Sequence, residues 1–317
     1  MNKLFKRLVF SGIILTLLGG ILFIVSFGAA GFKFSKLSGV KLIEKSDTFM
    51  TENLTIDLEE SDLIIEFSDS AENISVKYFD KINKQGDTLT KVSVVKSGSS
   101  VKITEKSTYR AIFQLWDFQN TKVTLVIPSS LELKLDAETD NGDITVKGNA
   151  NLKSGSFAID NGDINTKNAL IKSSSTLEFE SDNGDIKLGK IDTVSLVIET
   201  ENGDVSFTGS SSANNVTVSS DNGEIDIECY LKSENIAIET ENGDIDGEDG
   251  IIDAETITIE SDNGDVSVKL AGKKSDYSIW VNKNNGSSNI KNQEGGSRHI
   301  TITTDNGDIE VYFAENN

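Results

Sequence analysis

Pairs of carboxylates recur along the chain, each pair placed around an Asn-Gly dipeptide. One acid comes directly before the Asn, and the second comes two residues after it. The copy at Asn285 differs, because Asn284 and Ser287 take the two acidic positions. Carboxylates at such spacing could hold a cation or exchange protons with a substrate. The pairs are Asp140/Asp143, Asp160/Asp163, Asp182/Asp185, Glu201/Asp204, Asp221/Glu224, Glu241/Asp244, Asp262/Asp265 and Asp305/Asp308.

Calcium binding is the first chemistry that these pairs suggest. Two like charges about 4 Å apart repel by about 1 kcal/mol even in water. Ca²⁺ takes oxygen ligands from carboxylates and turn carbonyls and would relieve that repulsion. The alternative is that the acids make hydrogen bonds within their turns and keep an exposed edge soluble. All eight pairs are therefore candidate Ca²⁺ sites, and Ca²⁺ is the one cofactor that the sequence suggests.

Acid–base catalysis is the second possibility, since paired carboxylates cleave glycosidic bonds in many enzymes. A calcium-dependent, polysaccharide-cleaving β-helix enzyme is the form that this alternative takes. Such enzymes generally need a basic residue beside the acids, and the arginines are Arg7, Arg110 and Arg298. The pairs are also repeated alike, with no copy set apart for catalysis. We therefore expect a protein that is not an enzyme.

Composition excludes several further classes of function. The 317 residues contain 30 Lys+Arg and 51 Asp+Glu, and the net charge of −21 argues against binding to nucleic acid. One Cys and one His leave no intrachain disulfide and no ordinary zinc site or His-based triad. By strand alternation we expect Cys229 to be buried, Trp280 to face outward and His299 to lie on the surface.

The Asn-Gly dipeptides return every 19 to 22 residues, which is typical of a solenoid. The residues six and four before each Asn are mostly apolar, as are those three and five after it; Leu196, Ile198, Val205 and Phe207 are an example. This alternation predicts two short strands per repeat, each with one buried face. The asparagines are Asn141, Asn161, Asn183, Asn202, Asn222, Asn242, Asn263, Asn285 and Asn306.

The fold class predicted from this period is all-β, a β-solenoid of about nine coils of about 20 residues. We expect positive φ at the Asn-Gly glycines, which Gly adopts freely. The same dipeptide suits a type I′ hairpin, so a β-meander is the competing architecture. Constant offsets of the apolar columns favour parallel, in-register stacking, which a meander does not require.

The N-terminus predicts a membrane anchor. Residues 1–7 carry Lys3, Lys6 and Arg7, and residues 8–32 contain no charge, enough for a transmembrane helix. The charge distribution places residues 1–7 in the cytoplasm and the bulk of the chain outside the cell. A cleavable signal peptide ending near Ala30 is the alternative. We therefore expect a single-pass protein of the cell membrane.

Two further domains follow the anchor: an N-terminal β segment at 33–130 and the solenoid repeats at 131–317. The β segment is strand-like without a period, and we expect it to cap the first coil. It contains one aromatic stretch that could fold over the end of the core or form an exposed patch for a protein, glycan or membrane surface. The aromatic residues, our candidate partner-binding residues, are Tyr109, Phe113, Trp116 and Phe118.

The short strands "LTIDL" and "LIIEF", the strand "KVTLVIP" that ends at Pro128 and the following T-x-N-G-D-I repeats resemble a bacterial family of unknown function whose members are called "putative adhesins". The resemblance extends over nearly everything after residue 32, and it is closest to membrane-anchored members associated with envelope stress. It implies a β-solenoid in the cell envelope and brings no catalytic residue with it.

The function predicted from these features is a membrane-tethered, extracytoplasmic β-solenoid that acts as a non-enzymatic, adhesin-like surface binding module or as a spacer. Its partners would be the membrane, through the N-terminal helix, and an envelope protein or glycan at the variable ends of the repeats. The alternatives are an accessory protein of an envelope-stress response that modulates a membrane sensor, and the calcium-dependent enzyme.

Overall fold

A computed structural model describes residues 40–108 and 121–315 of the chain, together with Gly19 and Val25. Most of these residues belong to β-strands of one 26-stranded hydrogen-bonded sheet. A short 3₁₀ helix lies at Lys274–Asp276. The strands are β1 Lys41–Phe49, β2 Asn53–Leu58, β3 Asp62–Ser68, β4 Ile74–Ile82, β5 Thr88–Ser97, β6 Ser100–Ser107, β7 Lys122–Pro128, β8 Glu132–Asn141, β9 Ile144–Asn161, β10 Ile164–Ser173, β11 Thr176–Asn183, β12 Ile186–Leu188, β13 Lys190–Asp192, β14 Ser195–Asn202, β15 Val205–Phe207, β16 Ser211–Ser212, β17 Asn215–Asn222, β18 Ile225–Ile227, β19 Tyr230–Lys232, β20 Asn235–Asn242, β21 Ile245–Asp253, β22 Thr256–Asn263, β23 Val266–Leu270, β24 Tyr277–Asn285, β25 Arg298–Asn306 and β26 Ile309–Phe313.

The chain divides into two compact units. The smaller unit takes Met1–Glu44, Asp80–Lys91 and Ser107–Asn120. Its described part contains an antiparallel pairing in which Lys81 lies opposite Thr90. Asn83 closes the turn there, because its side-chain oxygen accepts a hydrogen bond of 2.8 Å from the backbone N–H of Asp87.

The larger unit takes Lys45–Phe79, Val92–Lys106 and Thr121–Asn317, and it contains the stacked repeats. Each repeat forms a rung: an incoming strand that ends at the Asn, an Asn-Gly corner and an outgoing strand. Neighbouring rungs pair in parallel and in register, so that Asn202 lies beside Asn222 and Val205 beside Ile225. This arrangement confirms the solenoid and excludes the meander for the repeats.

The apolar columns predicted from the sequence form the core. Ile198 and Phe207 have no exposed surface, and the same offsets are buried from rung to rung. Phe157 and Phe179, which are neighbours in one column, stack with ring centroids 5.2 Å apart. Burial of such a side chain contributes about 1.5–3 kcal/mol relative to leaving it exposed, so the stack is held chiefly by this continuous interior.

Both ends of the stack depart from chain order. At the C-terminal end, the incoming strand β25 pairs with β22 on one side and with β24 on the other. The last repeat in sequence therefore lies between two earlier repeats, and β24 is the outermost strand. At the N-terminal end, β2 lies between β8 and β6. The segment before the repeats thus supplies rungs to the same stack.

Nine Asn-Gly corners lie in register, and eight spacings separate the first from the last. The solenoid has about eight turns, where the sequence predicted about nine coils. Strand β4 pairs antiparallel with β7, with Val76 opposite Leu125, and so covers one strand edge at the N-terminal end. Of the anchor predicted at residues 8–32, the structure describes only Gly19 and Val25, so this prediction stays open. Within the part of the chain that the structure describes, no helix is both long and apolar enough to span a membrane.

Candidate functional site: the acidic corners and the opposite edge

The side chains of the corner asparagines form a continuous amide ladder. Asn222 Nδ2 donates to Asn202 Oδ1 at 3.2 Å and to the backbone oxygen of Glu201 at 3.3 Å. An Asn–Asn hydrogen bond of this kind joins every neighbouring pair of corners, in spatial rather than chain order. The ladder runs through Asn141, Asn161, Asn183, Asn202, Asn222, Asn242, Asn263, Asn306 and Asn285.

A second ladder is made by the aspartates two residues after each Asn. The backbone N–H of Asp163 donates to Oδ1 of Asp143 at 3.1 Å, and that of Asp185 donates to Oδ1 of Asp163 at 3.0 Å. Such charge-assisted bonds are stronger than neutral ones. Seven corner aspartates accept a hydrogen bond from a backbone amide of the neighbouring rung in this way. They are Asp143, Asp163, Asp185, Asp204, Asp244, Asp265 and Asp308.

Glu224 interrupts this carboxylate ladder. It takes the aspartate position and donates its own N–H to Asp204 at 2.9 Å, but no hydrogen bond reaches its carboxylate within the described residues. The side chain is one methylene longer than that of aspartate, and within the described residues the next amide, that of Asp244, makes no hydrogen bond to it. The ladder therefore selects Asp over Glu.

The corner that lacks acids is explained by its neighbour. Asn284 Nδ2 donates to Asp305 at 2.7 Å, and the backbone N–H of Ser287 donates to Asp308 at 2.5 Å. This hydrogen bond from Ser287 is the main reason why the pKa of Asp308 is lowered from 3.8. Two neutral residues at the outermost corner thus replace charges that would repel those of the adjacent corner.

The predicted reason for the corner glycines is wrong for most of them. Positive φ occurs at Gly162, Gly184 and Gly286, and the other six corner glycines lie outside the left-handed region. The common constraint is space, since a Cβ on Gly223 would come within 2.0 Å of the backbone oxygen of Gly203. Glycine is needed because each corner rests directly on the backbone of the corner beside it.

A column of buried hydroxyls lies beneath the corners, two residues before the Asn. Ser181 Oγ donates to the Gly184 oxygen at 3.1 Å, and Thr304 Oγ1 donates to the Gly264 oxygen at 3.2 Å. Five of the seven hydroxyls bond backbone carbonyls in this way, whereas those of Thr200 and Ser220 are buried without a hydrogen-bond partner. The sequence analysis missed this column, although a Ser or Thr at that position in most copies was a visible signal. The hydroxyl residues are Thr139, Ser181, Thr200, Ser220, Thr240, Ser261 and Thr304.

Burial and, after it, repulsion among the acids raise the pKa of several corner carboxylates. Burial, followed by the charge of Asp160, raises the pKa of Asp140. Burial also raises the pKa of Glu224 and of Asp226, with neighbouring carboxylates adding to both shifts. At Asp185 burial acts to raise the pKa, but hydrogen bonds from Lys187 and from a backbone amide outweigh it, and the pKa is lowered.

The acidic edge contains one shallow pocket among the described residues. This pocket, of about 220 Å³, lies between neighbouring corners and is lined by Glu180, Asp182, Glu199, Glu201 and Asp221 with three hydroxyl residues. Among the described residues, no three His, Cys, Asp or Glu side chains come together in a way that could hold a metal ion. The candidate Ca²⁺ pairs are thus brought to one edge, and calcium binding there stays a prediction.

The opposite edge of the solenoid contains a larger groove of about 490 Å³. Its wall has both charges, with Lys232 and Arg298 facing Glu234, Asp253 and Glu255. The remaining lining residues are Ser212, Ala213, Asn214, Ser233 and Ala254. These residues lie in and beside the short connections between rungs, where the repeats differ most in sequence, and variable segments on a rigid scaffold are where binding usually occurs.

Arg298 builds one end of this groove. Its guanidinium donates to the Ala254 oxygen at 2.8 Å, to the Ala271 oxygen at 3.1 Å and to Asp253 at 2.5 Å. It also lies 4.6 Å from the centre of the buried Tyr277 ring. Because Arg298 begins β25, these contacts fix the inserted last rung to the loops of earlier rungs. Sequence reasoning noted Arg298 only as one of three arginines.

Three single residues lie where strand alternation predicted. Cys229 is buried, and burial raises the pKa of its thiol to about 11. Trp280 is 60 % exposed on the outermost strand, and His299 is exposed at the start of β25. The candidate partner-binding residues Tyr109, Phe113, Trp116 and Phe118 lie outside the described residues, so their prediction stays open.

Comparison with solved structures finds distant likenesses only. A "putative adhesin" from Bacteroides fragilis is 14 % identical, with 86 % of this chain and 97 % of that chain covered and a TM-score of 0.43. A "putative lipid binding protein" from Parabacteroides distasonis is 13 % identical over 87 % and 97 % of the two chains, with a TM-score of 0.47. A comparison with curated proteins gave no match.

Comparison with protein-family models shows the family, which these structural likenesses do not. The model of the Toastrack DUF4097 family matches residues 51–312, from the rung that contains β2 to the end of the inserted rung. The match therefore covers the stacked rungs at both ends as well as the regular repeats, in agreement with the resemblance drawn from the sequence. The chain belongs to the Toastrack DUF4097 family.

Proposed function

We propose that the chain is a non-enzymatic, adhesin-like binding module of the cell envelope. In this proposal residues 8–32 hold it in the membrane as a single-pass protein and the solenoid is displayed outside the cell. The scaffold is rigid because each rung is fixed by core contacts and by two ladders. The acids of the corners serve that scaffold, and none of the pairs differs from the rest as a catalytic pair would.

The observation on which the proposal rests is the difference between the two edges. At the corner edge, polar side chains are repeated and mostly bonded to the next rung. At the opposite edge the loops vary, and the groove presents exposed side chains of Asn214, Lys232, Glu234 and Glu255. A groove with donors, acceptors and both charges suits a hydroxyl-rich ligand, and an envelope polysaccharide is the ligand that we propose.

A binding assay with matched lysine variants tests this proposal. Lys232→Ala removes an exposed ammonium from the groove, whereas Lys153→Ala removes an exposed ammonium from strand β9, away from the groove. Loss of a hydrogen bond to a charged group costs about 1.5–3 kcal/mol, which is about a tenfold or greater loss of affinity. Co-sedimentation with purified cell-wall polysaccharide measures it.

We expect Lys232→Ala to weaken co-sedimentation while Lys153→Ala leaves it unchanged. Equal binding by both variants and the parent protein would place the ligand elsewhere, and no binding by the parent would remove the polysaccharide from the proposal. The tether is tested separately by fractionation. The full chain should stay with membranes, and residues 33–317 alone should not.

A further inference from the structure

Asn-Gly dipeptides are chemically unstable unless the fold restrains them. The Gly backbone nitrogen attacks Cγ of the preceding Asn side chain, the Cγ–Nδ2 bond breaks, and ammonia leaves with the proton that the Gly amide gives up. Water then opens the cyclic imide at either carbonyl, which leaves aspartate or isoaspartate. Glycine permits this attack because it has no Cβ in the way. This chain contains nine such dipeptides at exposed corners.

The stack restrains the attacking nitrogen in seven corners. The N–H of Gly223 donates to the backbone oxygen of Asn242 at 3.2 Å, and that of Gly184 donates to the oxygen of Asn202 at 3.0 Å. Loss of the amide proton would break such a bond in each case. The restrained glycines are Gly162, Gly184, Gly203, Gly223, Gly243, Gly264 and Gly307.

The ladder restrains the group under attack as well. In the interior of the ladder, each Asn side chain donates through Nδ2 and accepts through Oδ1, as Asn222 does between Asn202 and Asn242. A carboxamide held at both atoms cannot turn toward the following nitrogen without losing both bonds. The first corner keeps this restraint too, since Asn141 donates to the Glu59 oxygen at 3.2 Å and accepts from Asn161 at 3.2 Å.

The last corner of the ladder lacks both restraints. Asn285 Nδ2 donates to Asn306 Oδ1 at 2.9 Å, but within the described residues nothing donates to its own Oδ1. Gly286 N–H likewise has no acceptor among those residues, since no further rung lies beyond it. Gly286 is also exposed, whereas the other eight corner glycines are half-buried.

We propose that Asn285–Gly286 is a deamidation site, the corner of the nine at which the folded protein converts its asparagine to aspartate and isoaspartate fastest. The reaction needs only water, and its products are a carboxylate and ammonia. It replaces the amide that donates to Asn306 with a group that cannot donate. The modification therefore removes the side-chain bond that joins the outermost corner to the rest of the ladder.

Peptide mass spectrometry on the full chain tests the site. The folded protein is incubated at mildly alkaline pH, sampled over time, digested at acidic pH and fragmented so that each corner is assigned. A parallel sample is kept unfolded in urea. In the folded sample we expect Asn285 to convert many times faster than Asn222, with Asn141 next after Asn285. In urea the nine sites should convert at comparable rates.

Two results would overturn the proposal. One is conversion of interior corners such as Asn222 as fast as Asn285 in the folded protein. The other is an intact Asn285 in the folded sample after the urea sample has converted. The variant Asn285→Gln, which cannot form the same five-membered ring, controls the assignment, because the folded variant should show no fast site.

Discussion

The regular middle of the stack and its two ends are held together in different ways. Between Asn161 and Asn263 the rungs repeat the same contacts: an apolar pair on each strand, an amide bond, a glycine that rests on its neighbour and, except at Glu224, a carboxylate bond to the next rung. At the ends the chain order changes, and residues that occur once make the decisive contacts. A periodic sequence can extend a stack, but it provides no place for the stack to stop.

At the N-terminal end the corner between β2 and β3 has no Asn-Gly. The buried carboxylate of Glu105, on β6, accepts hydrogen bonds instead from three successive backbone amides, those of residues 59, 60 and 61, at 2.9–3.1 Å. Its second oxygen accepts from Ser61 Oγ at 2.7 Å. The Glu105 side chain thus accepts the hydrogen bonds of this corner, a role that the side chains of the two ladders have at the Asn-Gly corners.

At the C-terminal end the outermost strand edge is covered by the chain itself. The backbone of Ile279 exchanges hydrogen bonds of 2.7 and 2.9 Å with Gln293, and Val281 N–H donates to the side chain of Asn292 at 2.8 Å. An uncovered parallel edge would invite pairing with another molecule. Terminal rungs of repeat proteins generally need such caps, and here the segment between β24 and β25 supplies one.

The largest effect that we expect comes from Glu105→Ala. The side chain is 1 % exposed, and its removal takes the acceptor from three amides and a hydroxyl at once. Leaving buried polar groups without their partner costs about 3 kcal/mol or more. Urea unfolding should show this loss, and Glu178→Ala, at an exposed position in the middle of the stack, is the control. Equal losses in both variants would contradict the role given to Glu105.

Arg298→Ala should have the next largest effect, about 2 kcal/mol, since it removes a half-buried cation that bonds two carbonyls and a carboxylate. Arg298→Lys should recover little of it, because an ammonium cannot reproduce the planar fork. Unfolding in urea and protease resistance of the C-terminal rung are the measurements. Full recovery with Lys would mean that charge alone fixes the rung.

The amide ladder offers a direct comparison of middle and end. Asn222→Ala removes bonds to two neighbouring rungs, whereas Asn285→Ala removes one bond at the free end. At about 0.5–1.5 kcal/mol for each net hydrogen bond, we expect Asn222→Ala to cost about twice as much as Asn285→Ala. Thermal melts of the two variants measure the difference, and a larger loss for Asn285→Ala would mean that the end corner matters more than the ladder.

The contrast between the regular repeats and the two ends also explains which features could be predicted from the sequence. The period located every Asn-Gly corner, and the offsets placed residues such as Leu196 and Ile198 in the core, because these features repeat. The exchange of rung order was not predictable from the pattern. Parallel stacking in register uses identical offsets, so the repeat at Ile300 fits beside Ile257 as well as beside Ile279. Only single residues such as Glu105 and Arg298 distinguish the ends. Because these residues are not part of the repeat, the period does not identify them.

The candidate site, like the fold, was only partly predictable from the sequence. The acids, the asparagines and the exposed edge followed from the motif, but the reason for the glycines did not. A turn conformation can be inferred from one dipeptide, whereas the contact of Gly223 with Gly203 exists only between rungs. The preference for Asp over Glu at the second acidic position has the same origin, since it depends on an amide in the next rung.

Glu224→Asp is therefore expected to stabilise the protein. It would restore the missing acceptor for the Asp244 amide, and a single charge-assisted bond at an exposed position should add about 0.5–1 kcal/mol. Glu201→Asp shortens an acid at the other corner position, where no ladder bond is made, and should change little. Urea unfolding near neutral pH compares the two variants, and a destabilised Glu224→Asp would mean that Glu224 already has a favourable place.

The pH dependence sharpens that test. Burial and neighbouring carboxylates raise the pKa of Glu224 above 4.5 in the folded protein, so this group contributes stability below its unfolded pKa and that contribution is lost as pH rises through the folded value. Asp308 has the opposite sign, since its pKa is lowered by the hydrogen bond from Ser287 and its contribution is lost as pH falls. The stability gained by Glu224→Asp should therefore be largest near neutral pH and shrink as the pH is lowered through the carboxylate range. A gain that did not change with pH would come from packing and not from the restored carboxylate bond.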